Sequence, residues 1–274
     1  MGSNLKKTTF VIPLRIETED RMRNILTTVI YILMNTDAKV IVQEEDKISH
    51  FGTIVYPQIC NVVETKITNL KHIFVESDDP VFHRTRILND MTMKAKRQVV
   101  VNYDSDILLE LDTYAEAERL IVSGEADVVY PYGMGNWQYQ VMADNELVTD
   151  FINNEFNFDI LKSKSRVWDA KYGFCQFFDR KKYIECGLEN ENFVSYGYED
   201  DERYYRFSKL TNLKRLDAWV YHLEHGRTQN SWFNNPHIIN NKTLWETINQ
   251  MNTEELKEYY ANVEYMRKRN ARQK

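Results

Sequence analysis

The clearest pattern in this chain is an alternation of short apolar, β-branched runs with segments of helical period. Thr8 to Leu14 (TTFVIPL) is predicted as a buried strand. From Arg21 to Met34, apolar residues at Met22, Ile25, Leu26, Val29, Ile30 and Leu33 recur at helical spacing on one side. Further strands are predicted at Ala38 to Gln43, Lys71 to Glu76 and Gln98 to Tyr103, with a helix at Thr85 to Ala95 before the last of these. Such β-α-β order signals a doubly wound α/β domain, in which polar ligands bind beyond the carboxyl ends of the strands. Charged residues stand at three such ends: Arg15, Glu44 and Asp104.

Beyond Asp106 the pattern predicts a helix near Thr113 to Ser123 and a strand at Ala126 to Pro131. Gly133 to Trp168 reads as an irregular, polar loop or hairpin insertion near an acceptor site. A strand at Gly173 to Asp179, a helix at Glu199 to Leu210 and one strand from Leu213 to His222 follow. From Lys242 the chain reads helical to a basic end (Arg267, Lys268, Arg269, Arg272, Lys274), taken as a solvated helix end. The expected organisation is one catalytic domain over 1–235 and a helical extension over 236–274.

Composition narrows the classes. The 274 residues are 43% hydrophobic and 28% charged, as in an ordinary globular protein. The net charge of −6 argues against broad nucleic-acid binding, although a modified base as acceptor stays open. Cys60, Cys175 and Cys186 have neither metal nor redox spacing and read as reduced thiols. No apolar run approaches the roughly 20 residues of a spanning helix. The first residues lack a signal-peptide core, so a cytoplasmic protein of bacterial or viral type is expected.

Three constellations carry candidate chemistry. Asp104-Ser105-Asp106 follows a buried strand, and two carboxylates at a strand end can hold magnesium or manganese against a diphosphate. Glu199-Asp200-Asp201-Glu202 is an acid run that a helix N-terminus tolerates, and one member can serve as a general base. His222-Leu223-Glu224-His225 offers two imidazoles beside a glutamate.

In this order and at these intervals the segments resemble the GT-A glycosyltransferase superfamily, nearest the β-1,4-galactosyltransferase branch and its bacterial relatives. The resemblance spans about Thr9 to Arg227 and rests on FVIPLR (10–15), FHRTRILN (82–89), DSD (104–106), YGYEDDE (196–202) and HLEH (222–225). It implies a GT-A mixed sheet flanked by helices and an inverting, metal-dependent transfer of a hexose or N-acetylhexosamine from a UDP-sugar to an acceptor hydroxyl. By the same resemblance Arg15, Phe82, Arg84 and Asp104 would serve the nucleotide, with Glu44 or Glu45 within reach of the nucleoside. Asp106, His225 and His222 would hold Mn²⁺ or Mg²⁺. Glu199 would grip the acceptor sugar, Asp200 would be the catalytic base, and Tyr196 would pack on the sugars. The chain departs from the family in having Tyr at 196 where the pattern has Trp and Tyr at 198 where it has Gly.

Other readings of the acids remain at this point. A nucleotidyltransferase acting on a sugar phosphate would want a glycine-rich loop after the first strand, which VIPLRIETEDR lacks. A glycoside hydrolase needs two carboxylates but no nucleotide pocket. A non-catalytic sugar-binding module can use the same scaffold.

Overall fold

The computed structural model describes residues 4–228, 230 and 235–271. The chain runs β1 (Thr8–Leu14), α1 (Glu19–Asn35), β2 (Lys39–Asp46), α2 (Tyr56–Val63), β3 (Leu70–Glu76), α3 (Arg84–Lys94), β4 (Val99–Tyr103), β5 (Ile107–Leu108) and α4 (Leu111–Val122). It continues through β6 (Val128–Tyr130), β7 (Gly135–Val141), α5 (Asn145–Asn153), α6 (Phe158–Ser163), β8 (Ser165–Ala170), β9 (Cys175–Asp179), α7 (Arg180–Glu185) and α8 (Glu199–Leu210). It closes with β10 (Leu213–Arg215), β11 (Val220–Leu223), α9 (Ile238–Ile248), α10 (Thr253–Asn262) and α11 (Glu264–Ala271).

Seven strands form the main sheet, in the order β10-β6-β9-β4-β1-β2-β3. β1 lies parallel to both β2 and β4, and β9 is antiparallel to β4 and β6, so the sheet is mixed. β1 and β4 are buried along their whole length, which explains their unbroken apolar sequences. A second sheet, β5-β11-β7-β8, stands beside it. β5 begins directly after Asp106 and pairs with β11, so the Asp104–Asp106 turn bridges the two sheets. Among the described residues no helix is long and apolar enough to cross a membrane.

Four expectations change. Gly133 to Trp168 is not irregular: β7 and β8 pair antiparallel as a hairpin, with α5 and α6 between them and β8 running on to Ala170. Its signal was hidden because β7 carries Gln138 and Gln140, buried polar residues that break the apolar alternation. The strand expected over Leu213 to His222 is two strands in different sheets, β10 beside β6 and β11 beside β7. The acids Glu44, Glu45 and Asp46, expected after the second strand, lie within β2. The C-terminal end is not simply solvated. Ile248, Leu256, Tyr260, Tyr265 and Met266 join the main core, and Arg269 forms ion pairs with Asp90 and Glu191. Arg272 and Lys274 lie outside the described residues.

Candidate metal and sugar-transfer site

β4 delivers the first acids. Its pairing with β1 and β9 ends at Tyr103, and the chain turns through Asp104 and Asp106. Asp104 is anchored through its N–H, which donates to the Phe174 carbonyl at 3.0 Å. Asp106 is 6% exposed. β11 supplies the imidazoles, since its pairing with β5 sets His222 opposite Ile107, the residue after Asp106. Nε2 of His225 lies 3.0 Å from Oδ2 of Asp106, and Nε2 of His222 lies 3.8 Å from Oδ1. The ligand atoms of Asp106, His222 and His225 all fall within 4.8 Å of one another.

The second nitrogen of each ring is already engaged. Nδ1 of His225 lies 2.8 Å from the Gly226 carbonyl, and Nδ1 of His222 lies 3.0 Å from Oε1 of Glu224. A carbonyl or carboxylate at Nδ1 fixes the ring so that Nε2, on losing its proton, would turn a lone pair toward an ion, as metal-binding histidines require. Glu224 is itself held by Nε2 of Gln140, which is bonded in turn by Arg166. One carboxylate and two imidazoles so prepared fit a divalent transition ion such as Mn²⁺. Burial works to raise the Asp106 carboxyl, yet the hydrogen bond from His225 and the charges of His222, His225 and Arg21 hold it well below the usual range. Burial opposes a charged His222, but Glu224 and Asp106 raise its affinity for a proton overall.

On the other side of Asp104 stands Arg84, whose Nη2 donates to Asp104 Oδ1 at 2.6 Å. Its Nη1 is buried and has no hydrogen-bond partner among the described residues. Burial disfavours the Arg84 charge, but Asp104, Asp200 and Glu199 outweigh it and raise its pKa. Arg84 therefore links the β4 acids to those of α8. Burial, with the charges of Asp106 and Asp200, raises the Asp104 carboxyl against the pull of Arg84.

The α8 acids arrive through a strained loop. Ser195, Gly197 and Tyr198 all have φ in the left-handed region, at 59°, 115° and 68°. Gly197, at φ 115°, lies where L side chains are strained, and a Cβ there would also have to displace Cδ1 of Ile238, 2.3 Å away. Glu199 is 4% exposed and its Oε2 accepts the Gly197 N–H at 2.6 Å. Burial and the Asp200 charge push its carboxyl up to about 8. Asp200 is 29% exposed and its Oδ1 accepts from Arg203 at 2.7 Å. Asp200 Oδ2 lies 3.1 Å from where a Cβ on Gly173 would be. Gly173 adjoins Phe174, whose carbonyl anchors Asp104, so the two acid groups face each other across this loop. Tyr196, 44% exposed, stands at the rim.

The nucleotide residues expected from sequence divide. The Arg15 guanidinium lies 5.4 Å from the centre of the Phe82 ring, and Arg15 also donates to the carbonyls of Glu45 and Pro80. Phe82 leads into Arg84, whose N–H donates to the Phe82 carbonyl at 3.0 Å. Contacts thus run from Arg15 through Phe82 and Arg84 to Asp104. Glu44 is a correction: its side chain is fully buried and its oxygens accept from Ser49 Oγ and the Phe51 N–H and meet His72 at 3.2 Å. Both oxygens are engaged within the turn after β2.

No protein-family model and no curated protein matches the sequence. Solved structures do match. S. aureus TarS 1-349 in complex with UDP-GlcNAc superposes with a TM-score of 0.56 at 14% identity, covering 91% of this chain and 69% of that one. The catalytic domain of Drosophila beta1,4galactosyltransferase 7 in complex with xylobiose gives 0.50 at 12% identity, covering 94% and 84%. The fold is that of the GT-A glycosyltransferases. Against another TarS 1-349 structure this chain covers 60% of that chain's length, and against the longer TarS chain 36%. The mixed sheet flanked by helices expected from sequence is therefore the observed architecture.

Sequence reasoning overlooked several residues packed around this site: Arg203, Glu189, Gln176, Asn102 and Gln140. Only one signal was legible for them. Asp200 with Arg203 and Glu202 with Arg206 stand three and four residues apart, the spacings at which helical side chains meet.

Proposed function

We propose that this protein is a metal-dependent, inverting glycosyltransferase that moves a hexose or N-acetylhexosamine from a UDP-sugar to an acceptor hydroxyl. The observation that carries the reading is the convergence of Asp106, His222 and His225 on one point, joined through Asp104 and Arg84 to the Glu199–Asp200 pair. The TarS fragment of the same fold was solved with UDP-GlcNAc, which supports a nucleotide-sugar donor here.

Asp106, His222 and His225 would hold Mn²⁺ or Mg²⁺, which when bound supplies Lewis-acid stabilisation to the departing diphosphate. Arg15 and Phe82 would receive the nucleoside, and Arg84 would add positive charge near the phosphates. Asp200 would accept the proton of the acceptor hydroxyl as that oxygen attacks the sugar carbon from the face opposite the leaving diphosphate, inverting the anomeric centre. Glu199, protonated over most of the neutral range, would offer an O–H to an acceptor sugar oxygen. Tyr196 would pack against the sugars.

The test is a UDP-release screen across nucleotide sugars with and without Mn²⁺, using a panel of glycan acceptors. Mn²⁺-dependent UDP release is the expected result. Pyrophosphate in place of UDP would indicate nucleotidyl transfer, and activity indifferent to a chelator would remove the metal from the reaction.

A further inference from the structure

Behind Asp200 lies a side chain that none of the nucleotide and metal expectations named. Arg203, on α8, is fully buried (0% exposed) and donates in three directions. Nε and Nη2 grip Glu189 at 2.7 to 3.0 Å. Nη1 reaches Gln176 Oε1 at 3.1 Å and Asp200 Oδ1 at 2.7 Å. Glu189, 1% exposed, is tied down in turn. Its Oε1 accepts from Asn102 Nδ2 at 2.9 Å and from the Tyr183 hydroxyl at 2.7 Å, while its N–H donates to Asn89. Asn102 belongs to β4, two residues before Asp104, and Gln176 lies opposite it on β9.

We infer that Arg203 is a positioning residue for Asp200, referencing that carboxylate to the strand that carries the metal-side acids, and that Glu189 is its counter-charge. Three features support this. The guanidinium is planar and its donors are fixed relative to one another, so a grip on Glu189 sets the direction of Nη1. Among the described residues Arg203 is the only hydrogen-bond partner of Asp200 Oδ1, and Oδ2 has none, which leaves Oδ2 as the oxygen to take a proton. Glu189 also balances the Arg203 charge, so Asp200 is oriented without facing an uncompensated cation. The second buried arginine of α8 serves as an internal contrast: Arg206 grips Glu202 and the carbonyls of Cys186 and Leu188, and reaches no site residue.

The inference rests on Asp200 being the base proposed above, and the test separates the two. The full chain carrying Arg203→Met with Glu189→Gln removes both charges together, a change that buried pairs often tolerate. Its melting temperature should stay close to the parent's and its affinity for UDP with Mn²⁺ within about twofold, while kcat falls about 100-fold, the scale of a misplaced reacting group. Arg203→Lys should recover part of that kcat at unchanged donor KM. Crystals should show the Asp200 carboxylate turned in the double variant. A folded double variant with parental kcat, or with Asp200 unmoved, overturns the assignment. Should that variant not fold, Arg203→Lys decides: loss of its contact to Asp200 with undiminished kcat overturns it. If the parent releases no UDP from any donor, the transferase reading falls, and the orientation of Asp200 in the variant crystals still decides what Arg203 does.

Discussion

Asp106 and Glu199 are both buried carboxylates, 6% and 4% exposed, and their surroundings drive them in opposite directions. Burial alone would raise both. At Asp106 two imidazoles and Arg21 reverse that tendency and keep the carboxylate ionised. At Glu199 the nearest strong influence after burial is another acid, Asp200, and the carboxyl rises to about 8 although Arg84 and Arg203 oppose it. The contrast shows how the surroundings set one buried carboxyl to stay ionised and another to keep its proton. Burial pushes both carboxyls upward, and the neighbours decide whether that rise survives, as at Glu199, or is reversed, as at Asp106.

The comparison can be broken first on its metal side. Asp106→Ala should abolish Mn²⁺-dependent UDP binding, measured by calorimetry with and without the ion. Undiminished binding would show that the three-residue cluster is not the cation site. The next effect is on the base. Asp200→Asn should lower kcat by about 10²–10⁴-fold, the usual worth of a placed general base, while leaving UDP affinity near the parent's. Equal turnover in that variant would take Asp200 out of the reaction.

Smaller effects sharpen the division. Glu224→Gln leaves the shape but weakens the carboxylate that orients His222, and should cost about 10–100-fold in metal affinity, read from a Mn²⁺ titration. No change would mean that His222 is oriented by packing alone, or does not ligate. Glu199→Gln tests the protonated acid. A raised folded-state pKa means that the native state binds more protons than the unfolded chain between an ordinary glutamate pKa and about 8. Its contribution to stability is therefore complete below the unfolded value and is lost as pH rises through about 8. Melting temperatures between pH 6 and pH 9 should fall more steeply for the parent than for Glu199→Gln, which resembles the protonated form. Parallel slopes would show that Glu199 ionises as an ordinary acid.

α8 illustrates how much of this was readable in advance. Its span, Glu199 to Leu210, follows directly from the acid-rich first turn and the period beyond it. The fates of its four acids do not. Glu202 faces Arg206 and the Tyr260 hydroxyl, Asp200 faces Arg203, and Glu199 is buried beside the Gly197 N–H. A run of like residues looks uniform along the chain, and only a helix packed between the sheet and the C-terminal helices gives each one a different neighbour. Glu44 carries the same lesson in reverse: an acid near a strand end looked available, and the turn that follows β2 consumed it.

Local chemistry along the chain was enough to determine β1 to β4 with α1 and α3, though not α2, together with the doubly wound class and the acids and imidazoles worth watching. Those properties depend on periodicity and residue type, which are local. Tertiary structure alone decided that Leu213 to His222 divides between two sheets, that β7 is a strand despite its glutamines, and that Arg203, Glu189 and Glu224 stand behind the reactive groups. These depend on which distant backbone lies alongside and on how buried polar atoms find partners, and both are settled only when separate stretches of chain pack together.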